Sequence, residues 1–222
     1  KATSNICTAK ALLATMAGFY AVYHGPEGIR TIAKHIHNIA AYLEKEISKL
    51  GYKQVNVQYF DTLRFALPDN VSAQQVRTVA LSKEVNLRYF KNGDVGMSID
   101  ETTDLAAVNV LLSIFGIAAG KDYTKTTDIP ESCTIQSTFR RQSTYLTHEV
   151  FNRYHTETEM MRYIKRLDRK DISLAHSMIS LGSCTMKLNA AAEMLPLSRP
   201  EFMNMHPLVP EEQAEGYREL IH

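Results

Sequence analysis

The stretch TLRFALPDNVSAQQVRTVALSKEVNLRYFKNGDVGMSI, residues 62–99, decides the fold because its apolar period changes within it. Apolar and polar residues alternate over 63–67, which predicts a strand. Ser72 and Gln75 then have the spacing of a capping box, in which each side chain accepts a hydrogen bond from the other residue's backbone N–H. We therefore predict a helix over 73–85.

A second pair of strands follows this helix. Residues 87–90 and 95–99 flank the turn sequence Lys91-Asn92-Gly93-Asp94, which predicts a β-hairpin. Before the opening stretch, alternation over 55–59 predicts a further strand, and a break at 60–62 separates it from the next one. The middle of the domain is thus predicted as β-β-α-β-β.

Helices precede and follow these strands. Apolar residues recur at helical spacing from about Ser4 to His24 and again from Glu27 to Leu50. Gly25-Pro26 separates the two helices, because both residues end helices. With a further helix beginning near Thr103, residues 1–118 are predicted as α-α-β-β-α-β-β-α. This order indicates an α+β layer in which helices cover one face of a largely antiparallel sheet.

The character of the sequence changes after this domain. Residues 120–148 are polar and weakly patterned, which is typical of a linker. Beyond them we predict a helix over 157–167, a short strand over 178–181, a short helix near 190–194 and a last helix from Glu211. The chain begins at Lys1 and ends at His222 within helix-like segments, so we expect a piece of a longer polypeptide.

The composition is that of an ordinary globular protein. Of 222 residues, 45% are hydrophobic and 22% are charged, with a formal net charge of +1. This balance gives no general attraction to nucleic acid or to an acidic membrane, and no apolar run approaches the roughly 20 residues of a membrane span. The three cysteines, Cys7, Cys133 and Cys184, leave at least one thiol unpaired and have no CxxC spacing. They argue against a disulfide framework or a structural zinc site and favour a reducing compartment.

No motif typical of a dinucleotide, phosphate-loop, zinc-hydrolase or acyl-transfer site occurs in the chain. Three histidines lie on or beside the first two helices: His24, His35 and His37. The last two are two residues apart and cannot share a helix face. We therefore assign all three to surface or packing roles rather than to a metal.

The run SCTMKLN, residues 183–189, concentrates hydroxyl, thiol, amide and ammonium groups that can bind an anion or a carboxylate. Cys184 could act as a nucleophile, but no positioned base is identifiable, and a place in a pocket wall is the interpretation we favour. Lys187 could form an imine with a carbonyl cofactor. We favour an ion pair at the rim of a pocket for this lysine.

Two long stretches, LTHEVFNRYHTETEMMRY (146–163) and LGSCTMKLNAAAEM (181–194), resemble the glycine dehydrogenase (decarboxylating) family, the P-proteins of the glycine cleavage system. Shorter stretches that resemble the same family lie at 3–8, 23–26, 59–62 and 210–217. The matches are spread over nearly the whole chain and are densest between Thr147 and Asn189.

The resemblance implies a pyridoxal-phosphate enzyme of the aspartate-aminotransferase fold type I, built from two homologous halves. Residues 1–118 would then be the small C-terminal domain of the first half, an α+β domain within an α/β enzyme. Residues 119–148 would be the linker, and residues 149–222 a mainly helical opening segment of the second half. A linker that runs on into the second half implies the fused, single-chain form.

The resemblance also implies the chemistry. Glycine loses its carboxylate as carbon dioxide while pyridoxal 5'-phosphate delocalises the carbanion. The aminomethyl group passes to the lipoyl arm of H-protein, and the lipoyl disulfide is reduced. The family's Schiff-base lysine lies in a His-Lys-Thr context beside a glycine-rich run, which this chain lacks. We therefore do not give Lys187 that role, and we expect this chain alone to bind no coenzyme and to be inactive.

By motif, the candidates for lining the substrate and lipoyl channel are Ser183, Cys184, Thr185 and Asn189. Three further candidates for the vicinity of substrate or cofactor rank below them: Lys187, Arg141 and His148. No metal is expected. The resemblance implies a homodimeric parent protein, located in the cytoplasm of a bacterium or in the mitochondrial matrix of a eukaryote.

Two other functions are compatible with the sequence. The α+β domain could be a non-catalytic module that docks a partner, with the remainder ordered by that partner. It could also be an amino-acid-binding regulatory domain, because paired antiparallel strands with covering helices suit that function as well. Glycine binding by the chain alone would favour the regulatory domain.

Overall fold

The computed structural model describes residues 8–131, 135–170, 192 and 195–221. The chain divides into two compact units, Lys1–Glu157 and Thr158–His222. Within the described ranges, no helix is long and apolar enough to cross a membrane. The division into residues 1–118, 119–148 and 149–222 stays a prediction.

The first unit begins with α1, Thr8–Lys49, which is interrupted at one residue. Gly25 has φ 63° and ψ −178°, a conformation that is open almost only to glycine, and Pro26 follows it. The predicted break is therefore confirmed, although the two predicted helices are joined into one kinked helix.

The sheet consists of β1 (Lys53–Gln54), β2 (Thr62–Ala66), β3 (Arg88–Tyr89) and β4 (Val95–Ser98). All neighbours are antiparallel, in the order β1-β2-β4-β3. The predicted hairpin between the last two strands is confirmed. In it, the Phe90 N–H donates to the Asp94 carbonyl at 2.9 Å, and Gly93 adopts φ 92°.

The strand predicted over 55–59 is wrong. The Val55 N–H still donates to the Arg64 carbonyl at 2.8 Å, but the chain then leaves the sheet. Val55 and Val57 are 43% and 88% exposed, so these two residues of the alternation do not face the core. The segment instead brings Phe60 to α1, where its carbonyl accepts a hydrogen bond from His37 at 2.9 Å.

Two further helices cover the sheet together with the second half of α1. In α2 (Ala73–Ser82), Ser72 and Gln75 form the predicted capping box, although the helix ends three residues before the predicted end. In α3 (Leu105–Ala119), the Asp104 side chain accepts from the Ala107 N–H at 2.8 Å, and Gly120 ends the helix in the left-handed conformation.

The core lies between the sheet, α2, α3 and the second half of α1. Its largest fully buried side chains are Phe65, Phe115, Ile39, Leu43, Ile47, Leu63, Leu112, Ile114, Val76, Val95 and Val108. The Tyr52 hydroxyl donates to the Phe115 carbonyl at 2.9 Å, and the two rings meet edge to face with centroids 5.0 Å apart. The predicted packing of helices on an antiparallel sheet is thus confirmed.

The first unit continues beyond α3 mostly as loop. Its described residues from 121 to 156 include two 3-10 helices, Ser137–Phe139 and Glu149–Asn152. This loop is tied to the domain, because Asn109 exchanges two side-chain hydrogen bonds with the backbone of Thr126, at 3.0 and 2.8 Å.

The second unit is helical where it is described. Its helices are α4 (Glu157–Asp168), which begins at the last residue of the first unit, α5 (Pro200–Met203) and α6 (Glu215–Ile221), with 3-10 helices at Leu195–Ser198 and Glu211–Gln213. The helix predicted over 157–167 is confirmed, and the last predicted helix begins as a 3-10 turn. The strand predicted over 178–181 lies outside the described residues, as does the helix near 190–194 apart from Ala192.

Candidate functional site

A cleft of about 610 Å³ opens beside the second half of α1 in the first unit. Arg30, Lys34 and His37 line it from α1, and their spacings of four and three residues place them on one face of the helix. Phe60 lines it from the loop that leaves the sheet. The opposite wall comes from the segment predicted as a linker, through Glu131, Ile135, Phe139, Arg140 and Arg141.

His37 is the most buried polar residue of the cleft, with 3% of its surface exposed. Its Nδ1–H donates to the Phe60 carbonyl, because a carbonyl oxygen can only accept. The two rings are nearly parallel, with centroids 5.9 Å apart, so His37 attaches the loop to the helix. The packing role predicted for this histidine is confirmed.

The cleft is cationic. Four of its lining side chains are lysine or arginine, and one, Glu131, is acidic. Arg30 is already paired with Glu27 at 2.9 Å, on the exposed surface of the helix. Arg140 and Arg141 donate through Nε to the carbonyls of Ile135 and Ser143, at 2.9 and 3.2 Å. Those bonds hold the arginines in place, and among the described residues their terminal amino groups bind no other acceptor.

Arg141 is the predicted site residue that the structure places in this cleft. Its guanidinium lies 5.0 Å from the centre of the Tyr145 ring, a cation–π distance. Tyr145 is in turn bound to α1, because its hydroxyl donates to the Pro26 carbonyl at 2.7 Å.

His148, the other described candidate, does not line the cleft. It begins the 3-10 helix at Glu149–Asn152, where its Nδ1 accepts from the Val150 N–H at 3.2 Å. Its carbonyl accepts from the Phe151 N–H and from the Asn152 side chain. These contacts give the residue a capping function, and its place near a substrate stays a prediction.

The break in α1 is a second point where predicted motifs meet. The His155 Nδ1–H donates to the Tyr23 carbonyl at 2.7 Å, next to the bond from Tyr145 to Pro26. A Cβ on Gly25 would lie 2.7 Å from the Phe151 carbonyl oxygen and 2.8 Å from a ring carbon of His155. We call this contact, formed by Tyr23, Gly25, Pro26, Tyr145, Phe151 and His155, the kink joint.

The kink joint brings together two stretches, 23–26 and 146–163, that carry the family resemblance and lie more than a hundred residues apart in the chain. The other two histidines of α1, His24 and His35, also have packing roles. His24 packs its ring against those of Tyr20 and Tyr23, and the His35 Nε2–H donates to the Thr103 carbonyl at 3.2 Å.

The principal predicted site residues are not among those described: Ser183, Cys184, Thr185, Lys187 and Asn189. Sequence reasoning missed the cleft itself. A signal was present in the spacing of Arg30 and Lys34 on one helix face and in the adjacent pair Arg140-Arg141. In the part of the chain that the structure describes, no group of three metal-ligating side chains could hold an ion.

Comparison with known proteins gives one consistent result. A family model described as "Glycine cleavage system P-protein" matches residues 1–115. Proteins named "Glycine dehydrogenase (decarboxylating)" from Bacteroides thetaiotaomicron and Bacteroides fragilis are 78% and 80% identical over 221 and 222 residues, which is the whole of this chain. A protein of the same name from Vibrio parahaemolyticus is 52% identical and covers 99% of the chain. The chain spans 23% of the length of each of these relatives.

Proposed function

We propose a function from the premise that this chain belongs to the glycine cleavage system P-protein family: it is part of an enzyme that decarboxylates glycine. The observation that carries the proposal is the 78–80% identity, along the whole chain, to two proteins named for that reaction. Because the chain spans 23% of their length, the activity is proposed for the whole protein.

In the proposed reaction, the whole protein removes the carboxylate of glycine as carbon dioxide and passes the aminomethyl group to the lipoyl arm of H-protein. Pyridoxal 5'-phosphate would act as the electron sink that makes the decarboxylation possible. The relatives described above are bacterial, and we propose the cytoplasm of a bacterium as the site of action and a homodimer as the parent assembly.

The described residues do not fit the Schiff-base position of this coenzyme. A lysine that forms an imine is commonly activated by burial, which lowers its pKa. In the part of the chain that the structure describes, the buried polar side chains are those of His37, Asp94 and Ser113, and none of them is a lysine. We therefore derive no reaction step through the coenzyme from these residues.

The role that we propose for residues 1–118 is that of the small domain of a fold type I half. Its antiparallel sheet, covered by α2, α3 and the second half of α1, supports this role. Residues 119–148 would connect it to the opening segment of the second half, 149–222. The kink joint supports that order, because it ties the start of the segment to the small domain through His155 and Tyr23.

For the substrate and lipoyl channel we propose Ser183, Cys184, Thr185 and Asn189, with Lys187, Arg141 and His148 as weaker candidates. The hydroxyl groups of Ser183 and Thr185 and the amide of Asn189 can donate hydrogen bonds to a carboxylate without carrying a charge of their own.

The test uses the whole polypeptide that contains this chain, with pyridoxal 5'-phosphate and lipoylated H-protein, and measures carbon dioxide released from carboxyl-labelled glycine. Release that depends on H-protein is expected. Asn189→Ala should lower kcat/KM about tenfold or more, because a hydrogen bond to the reacting complex is lost. Asn204→Ala is the matched control, since Asn204 is exposed at the end of α5 and should leave kcat/KM unchanged.

Two outcomes would contradict the proposal. Failure of the whole polypeptide to release labelled carbon dioxide would contradict the proposed glycine decarboxylase activity. Release by the 222-residue chain alone, or an imine absorbance band that Lys187→Ala abolishes, would contradict the assignment of the coenzyme lysine to another part of the protein.

A further inference from the structure

We propose that the cationic cleft beside α1 is a binding site for a small organic anion that carries a phosphate or carboxylate on a flat apolar body. The cleft is lined by Arg30, Ala33, Lys34, His37 and Asn38 of α1, by Phe60, and by Glu131, Ile135, Phe139, Arg140 and Arg141. The proposal concerns binding alone and does not rest on the glycine reaction.

The size of the cleft supports a small ligand. Its volume of about 610 Å³ falls within the range of roughly 300–1,000 Å³ that is usual for small-molecule sites. His37 and its hydrogen bond to Phe60 attach one wall to α1, so that wall is in place before any ligand arrives. Because that wall is already ordered, binding loses less conformational entropy there.

The charge of the cleft selects an anion. Lys34 makes no hydrogen bond or ion pair with any described residue, although it lines the cleft. Among the described residues, Arg140 and Arg141 each use only Nε, which leaves their terminal N–H groups for a ligand. Forked guanidinium donors match the oxygens of carboxylate and phosphate in pairs. Glu131 is the one carboxylate among the lining residues, and its single negative charge does not balance the positive charges of the lysine and arginines.

The exposed aromatic rings of the cleft favour a ligand that carries a flat apolar group. Phe60 is 42% exposed and Phe139 is 68% exposed, and both rings line the cleft together with Ile135 and Ala33. Aromatic side chains that remain exposed beside a few convergent polar groups are typical of ligand sites. A simple ion would use the cations and leave these rings uncovered, whereas an aromatic anion uses both.

The experiment titrates the full chain with phenyl phosphate and with benzoate at low salt and measures heat by calorimetry. Inorganic phosphate and benzyl alcohol are the comparison ligands, which carry only the charge or only the ring. We expect phenyl phosphate or benzoate to bind at least tenfold more tightly than either comparison ligand. The stronger of the two then identifies the anionic group.

The variant pair separates a site from general electrostatics. Lys34→Gln combined with Arg141→Gln should weaken binding of the preferred ligand at least tenfold. Lys45→Gln combined with Arg88→Gln removes the same charge from exposed positions elsewhere in the unit and should weaken it less than twofold. Phe139→Ala should weaken phenyl phosphate but leave inorganic phosphate unchanged, and an unchanged unfolding midpoint verifies that each variant is folded.

Four outcomes would overturn the proposal. The first two are an equal loss of ligand affinity in both double variants and binding of benzyl alcohol as tight as that of the aromatic anions. The other two are no measurable binding of either aromatic anion and tighter binding of an acidic peptide than of any small anion. The last outcome would make the cleft a surface for a protein partner.

Discussion

The half of α1 before Gly25 exposes its large apolar side chains, whereas the half after Gly25 buries them. Leu12 and Met16 are 62% and 58% exposed, while Leu43 and Ile47 are fully buried. Both halves have the apolar spacing of an amphipathic helix. The difference is that the second half packs on the sheet and α3, and among the described residues nothing covers Leu12 or Met16 in the same way.

This contrast shows that periodicity predicts a helix and its apolar face but not the partner of that face. Burial then decides how much each side chain contributes, because the hydrophobic effect is proportional to the area removed from water. Substitutions in the two halves should therefore differ in their effect even where the residue type is the same.

The largest expected difference is between the same substitution in the two halves. Leu43→Ala should lower the free energy of unfolding by about 3 kcal/mol, because it leaves a cavity in the core. Leu12→Ala should change it by less than about 0.5 kcal/mol, because the side chain is already exposed. Urea unfolding followed by circular dichroism measures both, and equal losses would mean that the first half is also buried.

The next effect concerns the residue that separates the halves. Gly25→Ala should destabilise the chain by roughly 2–3 kcal/mol, because alanine is strained at φ 63° and its Cβ would collide with the Phe151 carbonyl. Gly18→Ala is the control: no atom lies within 4 Å of its Cβ position, and helix propensity predicts a gain of about 0.5–1 kcal/mol. If both substitutions were stabilising, the break in α1 would not be a property of the folded chain.

A smaller effect on stability depends on pH, through Tyr52 in the core on which the second half of α1 packs. Burial raises the pKa of Tyr52 from 10.0 to about 12. The folded state therefore holds this proton more tightly than the unfolded state, so the stabilisation is complete below pH 10 and is lost as the pH rises from 10 towards 12. The loss should be on the order of 2 kcal/mol.

The control for this pH effect is Tyr52→Phe, in which the unfolding free energy should fall less steeply over the same interval. The variant should also be less stable by about 1 kcal/mol at neutral pH, because its hydrogen bond to the Phe115 carbonyl is lost. An unchanged slope would show that other groups cause the alkaline loss.

The smallest expected effect tests the kink joint from its other side. Tyr145→Phe removes the hydrogen bond to the Pro26 carbonyl and should cost about 1 kcal/mol of unfolding free energy. It should also speed hydrogen exchange near the break in α1. Tyr42→Phe is the matched control, because the Tyr42 hydroxyl makes no hydrogen bond with any described residue. Equal costs for the two variants would mean that the joint does not stabilise the break.

Local chemistry explains which predictions of the fold succeeded. The capping box at Ser72 and Gln75, the hairpin turn at 91–94 and the break at Gly25 all depend on interactions within a few residues. The prediction of a strand over 55–59 is wrong because alternation alone does not show whether a partner strand lies beside the segment. In the structure, the hydrogen bond from His37 to the Phe60 carbonyl holds the end of that segment against α1 rather than beside β2.

The site was predictable only in part. The resemblance made Arg141 a candidate, and this residue lines the cleft, while its place near a substrate stays a prediction. The stretches at 23–26 and 146–163, which carry the resemblance, meet in the kink joint. The resemblance did not predict the cleft, whose cations come from α1 and from the loop about a hundred residues later. The spacing of Arg30 and Lys34 places them on one helix face, but nothing in the sequence shows that Arg140 and Arg141 lie opposite that face.

The family, the capping box of α2, the hairpin turn and the break in α1 all follow from the sequence alone. Which half of α1 is buried, where the chain leaves the sheet and which cations share a cleft all depend on the folded arrangement. The physical reason is range: caps, turns and glycine conformations act between near neighbours, whereas burial and electrostatic fields depend on residues that folding brings together.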